Sequence, residues 1–133
     1  MQCSSDERLH DLLSGHCEVI DARPERWRVR FDGRELLVSI DEATEHLRIM
    51  VPVTADVYLD ELDLQMVLTA NFDRTLDARY AMAGGYLWAV YLHPLAELTD
   101  HLLLEGLRQV KELAASYGET YACGDLVFSE GKP

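Results

Sequence analysis

The chain has 133 residues, 48% of them apolar and 27% charged, which suits one globular domain with a core of its own and excludes a disordered chain. Asp and Glu number 24 against 12 Lys and Arg, and the resulting net charge of −12 argues against nucleic acid and anionic membrane as partners. No apolar run approaches the roughly 20 residues of a membrane span, the start "MQCSSDERLHDLL" lacks a secretory pattern, and the three cysteines show no C-x-x-C pairing; the expectation is a cytoplasmic protein with reduced thiols.

In chain order, Ser5 followed by Asp6-Glu7 and then Leu9, Leu12 and Leu13 predicts a short capped helix stopped by Gly15. From Cys17 to Pro24 the pattern offers at most a short strand at Glu18–Asp21. Trp27–Phe31 alternates cleanly and meets Asp32-Gly33, a strong hairpin signal, before a second strand at Glu35–Ile40 with Leu36, Val38 and Ile40 on one face. The turn "DEATE" leads into His46–Val53, with Leu47, Ile49, Val51 and Val53 on one face. Pro52 cannot donate a ladder hydrogen bond, so this strand is expected to end there or to lie at an edge.

Residues 60–75 switch to helical spacing, with Leu64, Val67, Leu68 and Phe72 on one side and Leu62 and Met66 broadening the apolar surface. Next comes a hairpin, Ala78–Met82 and Tyr86–Leu92, joined at Gly84-Gly85. Pro94 marks the entry to a long helix reaching about Tyr117. Its stripe is Leu95, Leu98, Leu102, Leu107, Val110, Leu113, Ala114 and Tyr117, with Leu103 and Leu104 at its margins; Gly118 stops it. The tail, residues 119–133, reads as an extra strand or as disordered. The order α-β-β-β-α-β-β-α in one domain, 1–133, indicates an α+β fold with an antiparallel sheet.

No catalytic constellation is present. Gly84-Gly85 runs directly into a strand, where a phosphate loop would open a helix, and it lacks the spacing of either nucleotide-binding signature. The histidines at 10, 16, 46, 93 and 101 form no metal-ligand spacing, and D-x-D-x-D-G is absent, so no cofactor or metal is expected. Asp56, Asp60, Glu61 and Asp63 read as a solvated helix entry. His16 and Cys17 are adjacent, and neighbouring side chains seldom converge into a nucleophile and base. The expectation is a non-enzymatic protein.

What remains is surface. A sheet with one face in water should alternate, and Tyr86–Leu92 does not, so both its faces are expected to be covered. Either the helices split between the two faces, or another molecule covers one of them.

The succession "LDLQMVLTANFD", "YAMAGGYLWAVYLHPLAEL" and "LLLEGLRQVKELA" resembles the class I type III secretion chaperones (the Tir-chaperone family) and the related YbjN-like family. The similarity runs over about residues 26–118. It rests on a Leu-x-x-Asn turn at 68–71, the apolar hairpin, a Leu-x-Pro-Leu step at 92–95 and the long amphipathic helix. The resemblance implies a homodimer that binds a non-globular segment of a protein client, possible clients including a secreted effector. It places the dimer contact at Leu64, Met66, Val67, Leu68, Phe72, Trp88 and Val90. Client contact is placed at Leu9, Leu12, Leu13, Val29, Phe31, Leu37, Met50 and Pro52. Every one of these positions also fits ordinary core packing. The YbjN-like alternative is a regulatory or sensory domain that binds another folded protein.

Overall fold

The computed structural model describes residues 2–73 and 75–117. Helix α1 (Gln2–His16) leads into four consecutive antiparallel strands: β1 (Glu18–Arg23), β2 (Arg26–Phe31), β3 (Arg34–Asp41) and β4 (His46–Ala55). Helix α2 (Glu61–Asp73), the hairpin β5 (Arg79–Ala83) and β6 (Tyr86–Pro94), and helix α3 (Asp100–Ala115) follow and complete the elements of the described residues. The spatial order of the six-stranded sheet is β1-β2-β3-β4-β6-β5. The chain is α+β, as its patterning predicts, with one strand more: the short run at Glu18–Asp21 is a full strand. A register shift between Val19 and Asp21 breaks its alternation. Helix α1 runs past Gly15 to His16, and the predicted tail at 119–133 lies outside the described residues.

The turns follow from their residues. Asp32 (φ 51°) with Gly33 (φ 86°), and Gly84 (φ 59°) with Gly85 (φ 89°), take two successive positive φ values, as a two-residue hairpin of the primed type requires. Gly84-Gly85 is therefore a bend. The Gly85 carbonyl also accepts from the Asp56 amide at 2.8 Å, which ties the hairpin tip to the segment leading into α2. Pro52 sits inside β4, which continues to Ala55. The β3 ladder, however, ends at Leu37–Met50, so β4 has only β6 beside it at Pro52. The local edge satisfies the proline.

All three helices pack on one face of the sheet. The main core joins Leu9 and Leu13 of α1 to Val29, Leu36, Val38, Leu47, Ile49, Ala89 and Tyr91 of the sheet and to Leu103, Leu107 and Val110 of α3. A second cluster, Val67, Ala70, Tyr80 and Leu87, seats α2 beside β5 and β6. The α3 stripe is centred on Leu103, Gly106, Leu107, Val110 and Ala114, with Leu102, Leu104 and Leu113 on its flanks. That phase differs from the predicted one because α3 starts at Asp100. Leu95–Glu97 form a short 3₁₀ turn, and the Thr99 hydroxyl caps α3 by accepting from the Leu102 amide at 3.1 Å. Gly106 lets α3 approach the sheet closely: a Cβ there would stand 2.5 Å from the Tyr91 ring.

Candidate functional site

The face of the sheet opposite the helices is uncovered by any described element. On β6, Leu87, Ala89 and Tyr91 point into the core, while Tyr86, Trp88, Val90 and Leu92 point out and are half-exposed or exposed. The expectation that both faces of this strand are covered therefore holds for one face within the chain. The alternative that helices divide between the faces is excluded for α1, α2 and α3.

Register builds this open face row by row. One row crosses five strands: Arg28, Leu37, Met50, Val90 and Arg79. The next runs Arg26, Ser39, Arg48 and Leu92, and on the other side lies Pro52, Trp88 and Ala81. Glu18, Arg30 and Glu35 form an outer row, Asp41, His46 and Pro94 another, and Asp21 and Arg23 lie on β1. The middle of the face is thus apolar and its β1–β2 side is rich in arginine. Arg30 bridges Glu18 and Glu35, Arg28 stands 3.6 Å from Glu35, and Arg23 pairs with Asp21. Trp88 is held by its indole N–H, which donates to the Ala83 carbonyl at 2.8 Å, and by edge contact with Tyr86.

A second apolar surface lies along α2. A reciprocal box starts the helix: the Asp60 amide donates to the Asp63 carboxylate at 3.0 Å and the Asp63 amide to the Asp60 carboxylate at 2.8 Å. The Asp63 amide, chiefly, holds the Asp60 carboxyl below its usual pKa. At the other end, Asn71 clamps β5, its side chain accepting from the Tyr80 amide (2.8 Å) and donating to the Tyr80 carbonyl (3.0 Å). With Val67 and Ala70 turned inward, Leu64, Leu68 and Phe72 form an outward ridge at i, i+4, i+8. Leu68 is 67% exposed and Phe72 90%. From Leu64 to Phe72 the helix carries no charged residue.

The predicted site residues divide accordingly. Leu9, Leu13, Val29, Phe31 and Val67 are buried in the core, so the reading of Val67 as dimer contact and of the other four as client contact is corrected. In the alternating strand β2 the arginines take the solvent face and leave Val29 and Phe31 inside. Leu12 is half-buried against the core. Leu37, Met50 and Pro52 do lie together on the open face. Trp88 and Val90 lie with them, on the opposite side of the sheet from α2, and so apart from Leu64, Leu68 and Phe72. Met66 is half-buried.

Elsewhere an open cleft of about 370 Å³ is lined by Asp6, Arg8, Glu25, Glu42, Glu45 and Leu98, among others. A hydrogen bond shared with Glu42, then desolvation and the charges of Glu42 and Asp6, raise the Glu25 carboxyl to about 7. Burial pushes the Cys17 thiol up to about 11, and His16 instead pairs with Asp100 at 2.8 Å, so the adjacent residues form no thiolate–imidazole couple. Among the described residues, no group of three or more His, Cys, Asp or Glu side chains is placed to hold a metal ion. No helix among them is long and apolar enough to cross a membrane.

No protein-family model matches the sequence, and no curated protein matches it significantly. Solved structures do match. A chain of the HopA1–SchA chaperone–effector complex superposes with a TM-score of 0.65 at 15% identity, covering 88% of this chain and 97% of that one. A chain of the ExsC–ExsE complex gives 0.64 at 15% identity, over 86% and 90%. The Yersinia pestis type III secretion chaperone SycH, solved with a fragment of YscM2, gives 0.63 at 13% identity, over 85% and 98%. The chain has the fold of the type III secretion chaperones.

Proposed function

We propose that this protein is a non-enzymatic, cytoplasmic chaperone-like binding protein. It pairs as a homodimer through the α2 ridge and holds a non-globular segment of a protein client on the open sheet face. The observation that carries the reading is the pair of apolar surfaces that no described element covers, the kind of exposed patch that marks protein contact. Leu64, Leu68 and Phe72 supply one, and Leu37, Met50, Pro52, Trp88 and Val90 the other. Similarity to a chain of a chaperone–effector complex and to a type III secretion chaperone solved with a fragment of YscM2 supports the client half.

The physical logic needs no reacting group. A helix apolar beyond its inward stripe gains by burying the rest against a second copy. An extended client gains by docking alternate side chains on a pleated apolar surface. Light scattering behind gel filtration, followed by capture of host proteins on the immobilised chain, tests the two halves. A mass of twice 15.1 kDa and a retained client support the reading. A monomer that retains no client refutes it and favours a domain of regulatory type.

A further inference from the structure

The charge on the open sheet face is opposite to that of the molecule. Among the described residues, register places six basic residues on it, Arg23, Arg26, Arg28, Arg30, Arg48 and Arg79, against four acidic ones, Glu18, Asp21, Glu35 and Asp41. Glu18, Asp21 and Glu35 are engaged by Arg23, Arg28 and Arg30. Arg26 and Arg48 have no carboxylate partner among the described residues. They flank Ser39 in the row next to Leu37, Met50 and Val90.

Resting on the client-binding reading above, we propose that this face selects an acidic amphipathic segment. Such a client is an extended stretch in which apolar side chains alternate with Asp or Glu. It lies between two neighbouring rows with its pleat parallel to the sheet, so that its apolar side chains turn to Leu37, Met50 and Val90 and its carboxylates, on the other side of its backbone, turn to Arg26 and Arg48. A second copy of the chain is a poor occupant of the same place, because a twofold contact between identical faces sets arginine-rich surfaces against each other. The net charge of −12 acts the other way at long range and favours a basic ligand. At physiological salt that field is screened beyond about 8 Å, so the arginines within contact distance decide.

The test is fluorescence anisotropy of the full chain with three labelled synthetic peptides alternating leucine with glutamate, glutamine or lysine. The glutamate peptide should bind most tightly, by about tenfold over glutamine, and lose that margin in high salt. Arg26→Glu with Arg48→Glu should abolish the preference and turn it toward lysine; Arg26→Gln with Arg48→Gln should only flatten it. Both side chains are outside the core, and circular dichroism checks that the variants fold. Equal binding of all three peptides, or preference for lysine, overturns acidic selection and leaves client binding standing. Binding of none overturns both. A change of oligomeric mass in the arginine variants assigns the face to a second copy and also overturns the proposal.

Discussion

Replacing Leu68 and Phe72 together by glutamine should split the proposed homodimer and leave the protomer folded. Both side chains point away from the core, and Phe72 is 90% exposed, so the single chain loses almost no burial. Glutamine is a good helix former, so α2 itself is little affected. In a symmetric pair each residue counts twice, giving four apolar side chains at the contact. Full burial of such a side chain contributes about 1.5–3 kcal/mol. With roughly half of each covered, the loss is about 3–6 kcal/mol, a rise in Kd on the order of a hundred- to ten-thousand-fold. Sedimentation equilibrium over a concentration series reads this directly, with thermal melts of the same samples as the control. If the double variant keeps the mass of the parent dimer, the α2 ridge is not the contact. If it unfolds, the ridge belongs to the core and the exposure argument is wrong.

Gly106→Ala should lower stability by about 1–3 kcal/mol, since its Cβ would press on the Tyr91 ring, itself only 2% exposed and unable to swing out; a denaturant melt measures this. Asn71→Ala removes both hydrogen bonds to the Tyr80 backbone and should cost about 1–3 kcal/mol, with faster amide exchange confined to β5 and the end of α2. Glu25 adds a pH dependence. Its folded-state pKa, raised to about 7, means that the native chain favours the proton, so its contribution is present at low pH and lost as pH rises through about 7. The melting temperature should therefore fall between pH 5 and 8 by more in the parent than in Glu42→Gln, and an equal slope in the two would refute the shared hydrogen bond.

Local signals in the sequence carried most of the fold. Asp32-Gly33 and Gly84-Gly85 can be read as hairpins because two positive φ values in succession leave few residue choices. The α2 entry is equally legible, since Asp60 and Asp63 stand at capping-box spacing. Strand β1 was harder to read, because a bulge shifts its side-chain alternation at mid-strand. Gly106 gives no local sign of its role, which exists only once α3 lies on Tyr91. The candidate site is less legible than the fold. Family resemblance points to apolar positions without telling inner from outer faces, and so it extends to Val29 and Phe31. The alternation Arg26-Trp27-Arg28-Val29-Arg30-Phe31 already contains the answer, since arginine cannot be the inward set. That Arg48 lies beside Arg26 depends on the register of β2, β3 and β4, which the sequence alone does not disclose.

The two uncovered surfaces differ in what they can accept. Between Leu64 and Phe72 there is no charge to repel an identical helix, so self-pairing meets no electrostatic opposition there. The sheet face has the opposite character, with arginines that an identical face would repel and an acidic segment would satisfy. They also lie on opposite sides of the sheet, so their energetics should add. The Leu68→Gln, Phe72→Gln variant should therefore bind the leucine–glutamate peptide with the affinity of the parent, per protomer. Arg26→Glu, Arg48→Glu should keep the parent's dimer mass. If either variant loses both properties while remaining folded, dimer and client share one surface, and the division between helix ridge and sheet face fails.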